Sequence, residues 1–195
     1  MVTIKQQLVS RDIIDKRSYG HGNPCKYITI HQTGNTSIGA NAQAHANIQS
    51  ILNPRQASWH YQVDDKEIIQ SFDDKVRCWH ATDGTGPGNT SSIAIEICIN
   101  SDGDYKRAVQ NAAMLTKHLL TKHKLGIDKV KQHRDWYAKD CPAQLRGGYK
   151  GITWNDFIKM VKGEGGKVEA PKTQVGSVKV EAPTKPSGSY TGDSI

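Results

Sequence analysis

The sequence predicts an α/β fold, a mixed central β-sheet flanked by helices, and three observations point to it. Two stretches, Tyr27 to His31 and Ile93 to Ile99, alternate between two residue sets with the period of a strand. Three others, over residues 39–52, 104–124 and 153–162, repeat apolar side chains at the spacing of an amphipathic helix. Between them, SWHYQVDDKEIIQSF (residues 58–72) reads as two short strands joined by an Asp64-Asp65-Lys66 turn.

Taken in order, residues 1–24 have weak periodicity and end in the turn-rich SYGHGNP, so an entry arm and loop are expected, with His21 solvated there. In the first strand Ile28 and Ile30 point to one face, and His31 closes the strand before the polar loop QTGNTS. A helix over 39–52 would bury Ala44, Ile48, Ile51 and Leu52 and stop before Pro54, leaving His45 partly exposed. In the hairpin, Trp59 packs as an aromatic and His60 lies at the core rim or lines a site. TDGTGPGNTSS (82–92) is too rich in glycine for regular structure and is expected to be a surface loop.

The next strand turns Ile93, Ile95, Ile97 and Ile99 to one face, so Glu96 points to the other, between Ala94 and Cys98. A carboxylate there is costly to bury unless a cation or a polarised water answers it. Asp104 can cap a helix with Ala108, Ala112, Leu115 and Leu119 on its apolar face, ended by Gly126, with His118 and His123 solvated among lysines. Val130 to His133 is expected to be a short strand. Thr153 and Asp156 form a capping-box pattern for a last helix with Trp154, Phe157, Ile158 and Val161 on its stripe.

A chain of 195 residues makes one domain of ordinary size with room for an appendage. No apolar run approaches the roughly 18 residues of a membrane span, so no membrane insertion is expected. MVTIKQQLVSRD lacks the apolar stretch of a signal peptide, so synthesis in the cytoplasm and action outside after release by another route are expected. The net charge of +7 favours polyanions. No basic stripe alternates with aromatics, so nucleic acid is not expected; an anionic wall polymer would match the charge equally well, and the charge alone does not choose between them. Cys25, Cys78, Cys98 and Cys141 are too few and too irregularly spaced for a disulfide framework; the first three are expected to be small buried residues. From Gly163 the composition shifts to glycine, proline, lysine and valine, and KVEAP occurs at 167–171 and again at 179–183. Residues 1–162 are therefore expected to form the folded domain, and 163–195 a linker leading to an absent carboxy-terminal wall-binding module.

The chemistry concentrates in HRDWYAKDC, residues 133–141, followed by Pro142. Imidazole and thiolate are ligands that zinc prefers, and three protein ligands with an open fourth position suit a hydrolytic site. His133 and Cys141 are eight residues apart and cannot pair across a helix turn, so this segment must curl its two ends around one point. The third ligand lies far upstream and by spacing could be any of several histidines, among which His31, at a strand end beside a loop, is well placed for a site.

ITIHQTGN around His31, WHA at 79–81, SIAIEIC with Glu96 and HRDWYAKDCP, in this order over residues 20–162, resemble the type-two N-acetylmuramoyl-L-alanine amidases of phages and prophages of Gram-positive bacteria. The resemblance implies a fold shared with the peptidoglycan recognition proteins and a zinc ion on His31, His133 and Cys141. It implies Glu96 as catalytic base, Lys139 as the cation beside the tetrahedral intermediate, and His80 and Asn89 as substrate-side wall, with Trp59 and His60 beside them. Where this chain has Trp59-His60, some relatives carry a tyrosine next to the histidine, and any role of that tyrosine does not transfer. The implied substrate is peptidoglycan, cut between N-acetylmuramic acid and L-alanine by a monomeric enzyme. Two other readings compete: a recognition module that binds muropeptides without cutting them, which Cys141 speaks against, and a purely structural zinc, which needs a fourth ligand such as His60 or His80.

Overall fold

The computed structural model describes residues 3–52 and 56–164 and the backbone of 179–180. The first half runs β1 (Thr3–Gln6), α1 (Arg11–Arg17), β2 (Ser18–His21), β3 (Tyr27–Gln32), α2 (Ala42–Gln49), β4 (Tyr61–Val63), β5 (Ile68–Gln70) and β6 (Val76–Cys78). It continues with α3 (Pro87–Ser91), β7 (Ser92–Ile97), α4 (Tyr105–His123), β8 (Val130–Gln132), α5 (Ala143–Arg146), α6 (Trp154–Lys162) and β9 (Lys179–Val180). Seven strands form one sheet in the order β8-β3-β7-β4-β5-β1-β9, and β2 pairs with β6 in a second. Strands β8, β3, β7 and β4 run parallel, the expected hairpin makes β5 antiparallel to β4, and β1 is parallel to β5. The mixed α/β architecture is the one expected.

The two alternating stretches explain the core. Ile28 and Ile30 of β3 and Ile93, Ile95 and Ile97 of β7 are fully buried on one face, where Ala112, Leu115 and Leu119 of α4 and Phe157 of α6 pack with them. Burying such a side chain stabilises the fold by roughly 1.5–3 kcal/mol. Asp104 caps α4 by accepting from the Arg107 N–H at 3.2 Å, and Thr153 and Asp156 form the capping box of α6. The opposite sheet face carries Thr29, His31, Ala94 and Glu96 and is left to α2, α3 and the site.

Several expectations need correction. Residues 1–24 hold β1, α1 and β2 rather than an arm and loop. These elements are four to seven residues long and bury little beyond Ile4 and Ile13, too short to print a period on the sequence. The α2 helix buries Ala42, His45, Ala46 and Gln49, while Ile51 and Leu52 are 60% and 45% exposed. Asn41 caps it through the Ala44 N–H and the Asp64 carboxylate takes the Ala42 N–H, both at 2.9 Å, so the helix starts late and ends before Ile51. Small alanines let it approach the sheet, and His45 is buried because its Nδ1 lies 2.8 Å from the Asn41 carbonyl.

The 82–92 segment is not all loop. Pro87 starts α3, and the Asp83 carboxylate accepts from the Gly88 and Asn89 N–H groups. The α4 helix ends near Lys124 as expected, but its cap is Lys124 itself, in the left-handed region at φ 55°, rather than Gly126. His123 is not solvated: its Nε2 sits 2.8 Å from buried Asp74, which also takes Lys122 at 2.7 Å and the Tyr61 hydroxyl at 2.6 Å. Against the opposing effect of burial, the hydrogen bonds from His123, Lys122 and the Tyr61 hydroxyl, with the Lys122 charge, hold the Asp74 carboxyl far below its usual range. Cys25, Cys78 and Cys98 are buried free thiols, as expected. Residues 165–178 and 181–195 of the expected linker lie outside the described residues, and Lys179–Val180 pairs parallel to β1. Among the described residues no helix is long and apolar enough to cross a membrane.

Candidate metal centre and cleft

Four parallel strands end on the same side of the sheet, and ligand sites in such sheets lie beyond those carboxyl ends. His31 is the fifth residue of β3, Glu96 the fifth of β7, and His133 follows β8 directly. His31 and Glu96 are register partners on neighbouring strands, about 4.8 Å apart in a sheet, and so share one face. Backbone pairing alone thus sets the histidine beside the carboxylate.

The third position comes from the loop. The Arg134 N–H donates to the Cys141 carbonyl at 3.1 Å and the Cys141 N–H to the Lys139 carbonyl at 2.9 Å, which closes the segment into the expected curl. Trp136 anchors it to β3: its ring meets Tyr27 edge-on at 5.1 Å and its Nε1–H donates to Thr29 Oγ1 at 2.9 Å. On the far side, Gln32 Oε1 accepts from the Gln144 and Leu145 N–H groups, fixing α5 and with it Cys141. Neither Trp136 nor Gln32 carried a sequence signal, because their partners come from other elements.

One donor atom from each of His31, His133 and Cys141 lies within 4.8 Å of the others, and all three residues are buried. Nδ1 of His31 is 3.0 Å from Nδ1 of His133 and 3.8 Å from Cys141 Sγ. Burial, then the charges of His80, His133 and Lys139, hold the His31 pKa well below its ordinary value; burial and Lys139 lower that of His133 to about 4. Both rings are therefore neutral at pH 7, the form that ligates. Burial, then the Glu96 charge, pushes the Cys141 thiol up to about 12, so the thiol keeps its proton until a cation takes the sulfur. Two neutral imidazoles and a sulfur converging on one point are a donor set that fits zinc.

These groups line a cleft of about 550 Å³ that also receives Glu96 and Lys139. Trp59 lines it too, only 6% exposed, with its indole N–H given to Gln62 Oε1 at 3.0 Å. Tyr19 and Trp79, in edge contact at 5.5 Å, form a wall that the sequence did not single out as a site. Of the other expected wall residues, His80 and Asn89 border the cleft, although their polar atoms are engaged within the fold, and His60 does not. His80 borders the cleft, yet its Nδ1 is 3.0 Å from His31 Nε2 and its Nε2 is 3.3 Å from Ser92 Oγ. Asn89 spends its side chain on its own loop: Oδ1 accepts from the His80 and Ala81 N–H groups, each at 2.7 Å, and Nδ2 donates to the Gly84 carbonyl. His60 is fully buried and does not line the cleft, since Nε2 donates to the Val76 carbonyl at 2.8 Å and Nδ1 accepts from the Ala94 N–H at 2.9 Å. It is a tie between strands, and with both nitrogens occupied it offers no fourth ligand.

Comparison with known proteins shows the family and the fold. Residues 21–144 match the family described as N-acetylmuramoyl-L-alanine amidase. The chain is 42% identical over 147 residues to N-acetylmuramoyl-L-alanine amidase XlyA of Bacillus subtilis (strain 168), covering 75% of this chain and 47% of XlyA. It is 39% identical over 160 residues to CwlH of the same organism, covering 81% of this chain and 60% of CwlH. The chain thus spans about half the length of these curated relatives. Among solved structures, the catalytic domain of XlyA superposes with a TM-score of 0.75 at 38% identity, covering 82% of this chain and 99% of that domain. With a family match across more than half of its length and relatives of this identity, the chain belongs to the N-acetylmuramoyl-L-alanine amidase family.

Proposed function

We propose that the chain is a zinc-dependent hydrolase of peptidoglycan that cuts the amide bond between N-acetylmuramic acid and L-alanine. The observation that carries this reading is the convergence of His31, His133 and Cys141 within 4.8 Å, beside Glu96 on the neighbouring strand. When bound, the cation supplies a Lewis acid that polarises the scissile carbonyl and makes water nucleophilic near neutral pH.

The remaining work falls to the chain. Glu96, held in the cleft next to His31, takes the proton of the attacking water and passes it to the leaving amine. Lys139 at the cleft edge places a positive charge where the carbonyl oxygen gains negative charge. Buried rings and the Trp59 wall keep bulk water away from the reacting bond, which strengthens both electrostatic contributions. The products are a glycan strand and a peptide with a free L-alanine amine. The net charge of +7 supports attraction to anionic wall polymers.

The test is digestion of purified walls by the full chain and by Cys141→Ser, with zinc content and new amino termini read by mass spectrometry. Free L-alanine termini from the wild type, and neither zinc nor lysis from the variant, are expected. Lysis by the zinc-free variant would overturn the mechanism.

A further inference from the structure

Hydrogen-bond directions around His31 are not free; they follow from two fixed ends. The Gly88 carbonyl can only accept, and it takes the Ser92 hydroxyl proton at 2.6 Å. The Trp136 indole can only donate, and it gives its proton to Thr29 Oγ1. Since the Ser92 proton is spent, the 2.8 Å contact between Thr29 and Ser92 must carry the Thr29 proton. Ser92 Oγ has one lone pair left, so its 3.3 Å contact with His80 Nε2 requires a hydrogen on that nitrogen. Neutral imidazole carries one N–H, which makes His80 Nδ1 a bare lone pair. The 3.0 Å contact between His80 Nδ1 and His31 Nε2 then needs the hydrogen on His31 Nε2. His31 Nδ1 is left as a lone pair, aimed at His133 Nδ1 and Cys141 Sγ.

We propose that His80 is a positioning residue for the cation site, fixing His31 in its Nε2–H tautomer so that the Nδ1 lone pair faces the cation. The relay that holds His80 in this role runs through Ser92 and Thr29 to Trp136, on the same loop that carries His133 and Cys141. The loop that brings two ligands therefore also sets the tautomer of the third. In the other tautomer, two lone pairs would face each other between His31 and His80, and a hydrogen would stand where the cation binds. This differs from the wall role that the sequence suggested for His80, and it rests on the reading of the cluster as a zinc site.

The test uses the full chain and reads zinc affinity by competition with a chromophoric chelator. Outer partners of metal-bound histidines are worth about 10- to 100-fold in affinity. His80→Leu, which cannot accept a hydrogen bond, should lose that much, and His80→Gln, whose carbonyl oxygen can accept, should lose less. Unchanged affinity in His80→Leu, with only KM for wall substrate raised, would overturn the proposal. If His80→Leu fails to fold, the wild type still decides: histidine ¹⁵N shifts of the metal-free protein should show His31 protonated at Nε2, and protonation at Nδ1 would sink the idea. A chain that binds zinc in this way yet cuts no wall would refute the proposed hydrolase and leave the His80 assignment intact.

Discussion

Asn89→Ala separates a wall residue from an internal staple. The Asn89 side chain is 4% exposed, and its Oδ1 is the acceptor for two N–H groups, those of His80 and Ala81, at 2.7 Å each. Alanine leaves both without that acceptor. A buried donor stripped of its partner costs about 1–3 kcal/mol, so the two together cost about 2–6 kcal/mol. A domain of this size has a total stability of about 5–15 kcal/mol and shifts its Tm by about 2–4 °C per kcal/mol. A fall of roughly 10 °C is expected by calorimetry, together with weaker zinc binding, because the loosened segment carries His80 against His31 and Thr82 against His133 Nε2 at 3.2 Å. Were Asn89→Ala to keep the wild-type Tm and zinc affinity and change only KM for wall fragments, the staple argument would be refuted and the residue would touch substrate.

Three other predictions follow from the same geometry. Glu96→Gln keeps the shape of the cleft and the three candidate ligands but removes the proposed base, so zinc content should stay while turnover drops by about 10²–10⁴-fold; turnover within tenfold of wild type would remove Glu96 from that role. Gly88→Ala would place a Cβ 2.5 Å from that of Ala81 and 2.8 Å from both Asp83 Oδ2 and Trp136 Cγ, so urea unfolding should show a loss of about 1–3 kcal/mol. For pH, burial lowers the folded pKa of His60 below 6.5, as it does for His31, His80 and His133. Each neutral ring then contributes stability that is present above pH 6.5 and lost as pH falls toward its folded value, about 4 for His133. The urea midpoint should decline across that window, and a flat profile would show that these rings are not held neutral.

Long elements with one repeated chemistry were legible in the sequence. The isoleucine alternation of β7 and the apolar positions of α4 each recur several times, so burial of one face could be read from period alone. The short elements were not: β1, β6 and α5 are three or four residues long and owe their place to partners elsewhere in the chain. In α2, Ile51 and Leu52 fit a helical stripe on paper, but the Asn41 and Asp64 caps set the start and the helix ended too early to include them.

Residue chemistry and strand period were enough to single out Glu96, His133 and Cys141, because a thiol and an imidazole in one tight loop and a carboxylate on an apolar strand are unusual wherever they occur; His31 was chosen among several histidines only by the resemblance of its motif. They could not sort the histidines into their uses. His60 ties two strands, His80 holds a ring and His123 answers a buried carboxylate, and each use depends on a partner 12 to 49 residues away, such as Ser92, Val76, His31 or Asp74. A side chain's donors and acceptors are written in its own identity; which of them remain free for substrate or cation is decided only once the folded chain has assigned the rest.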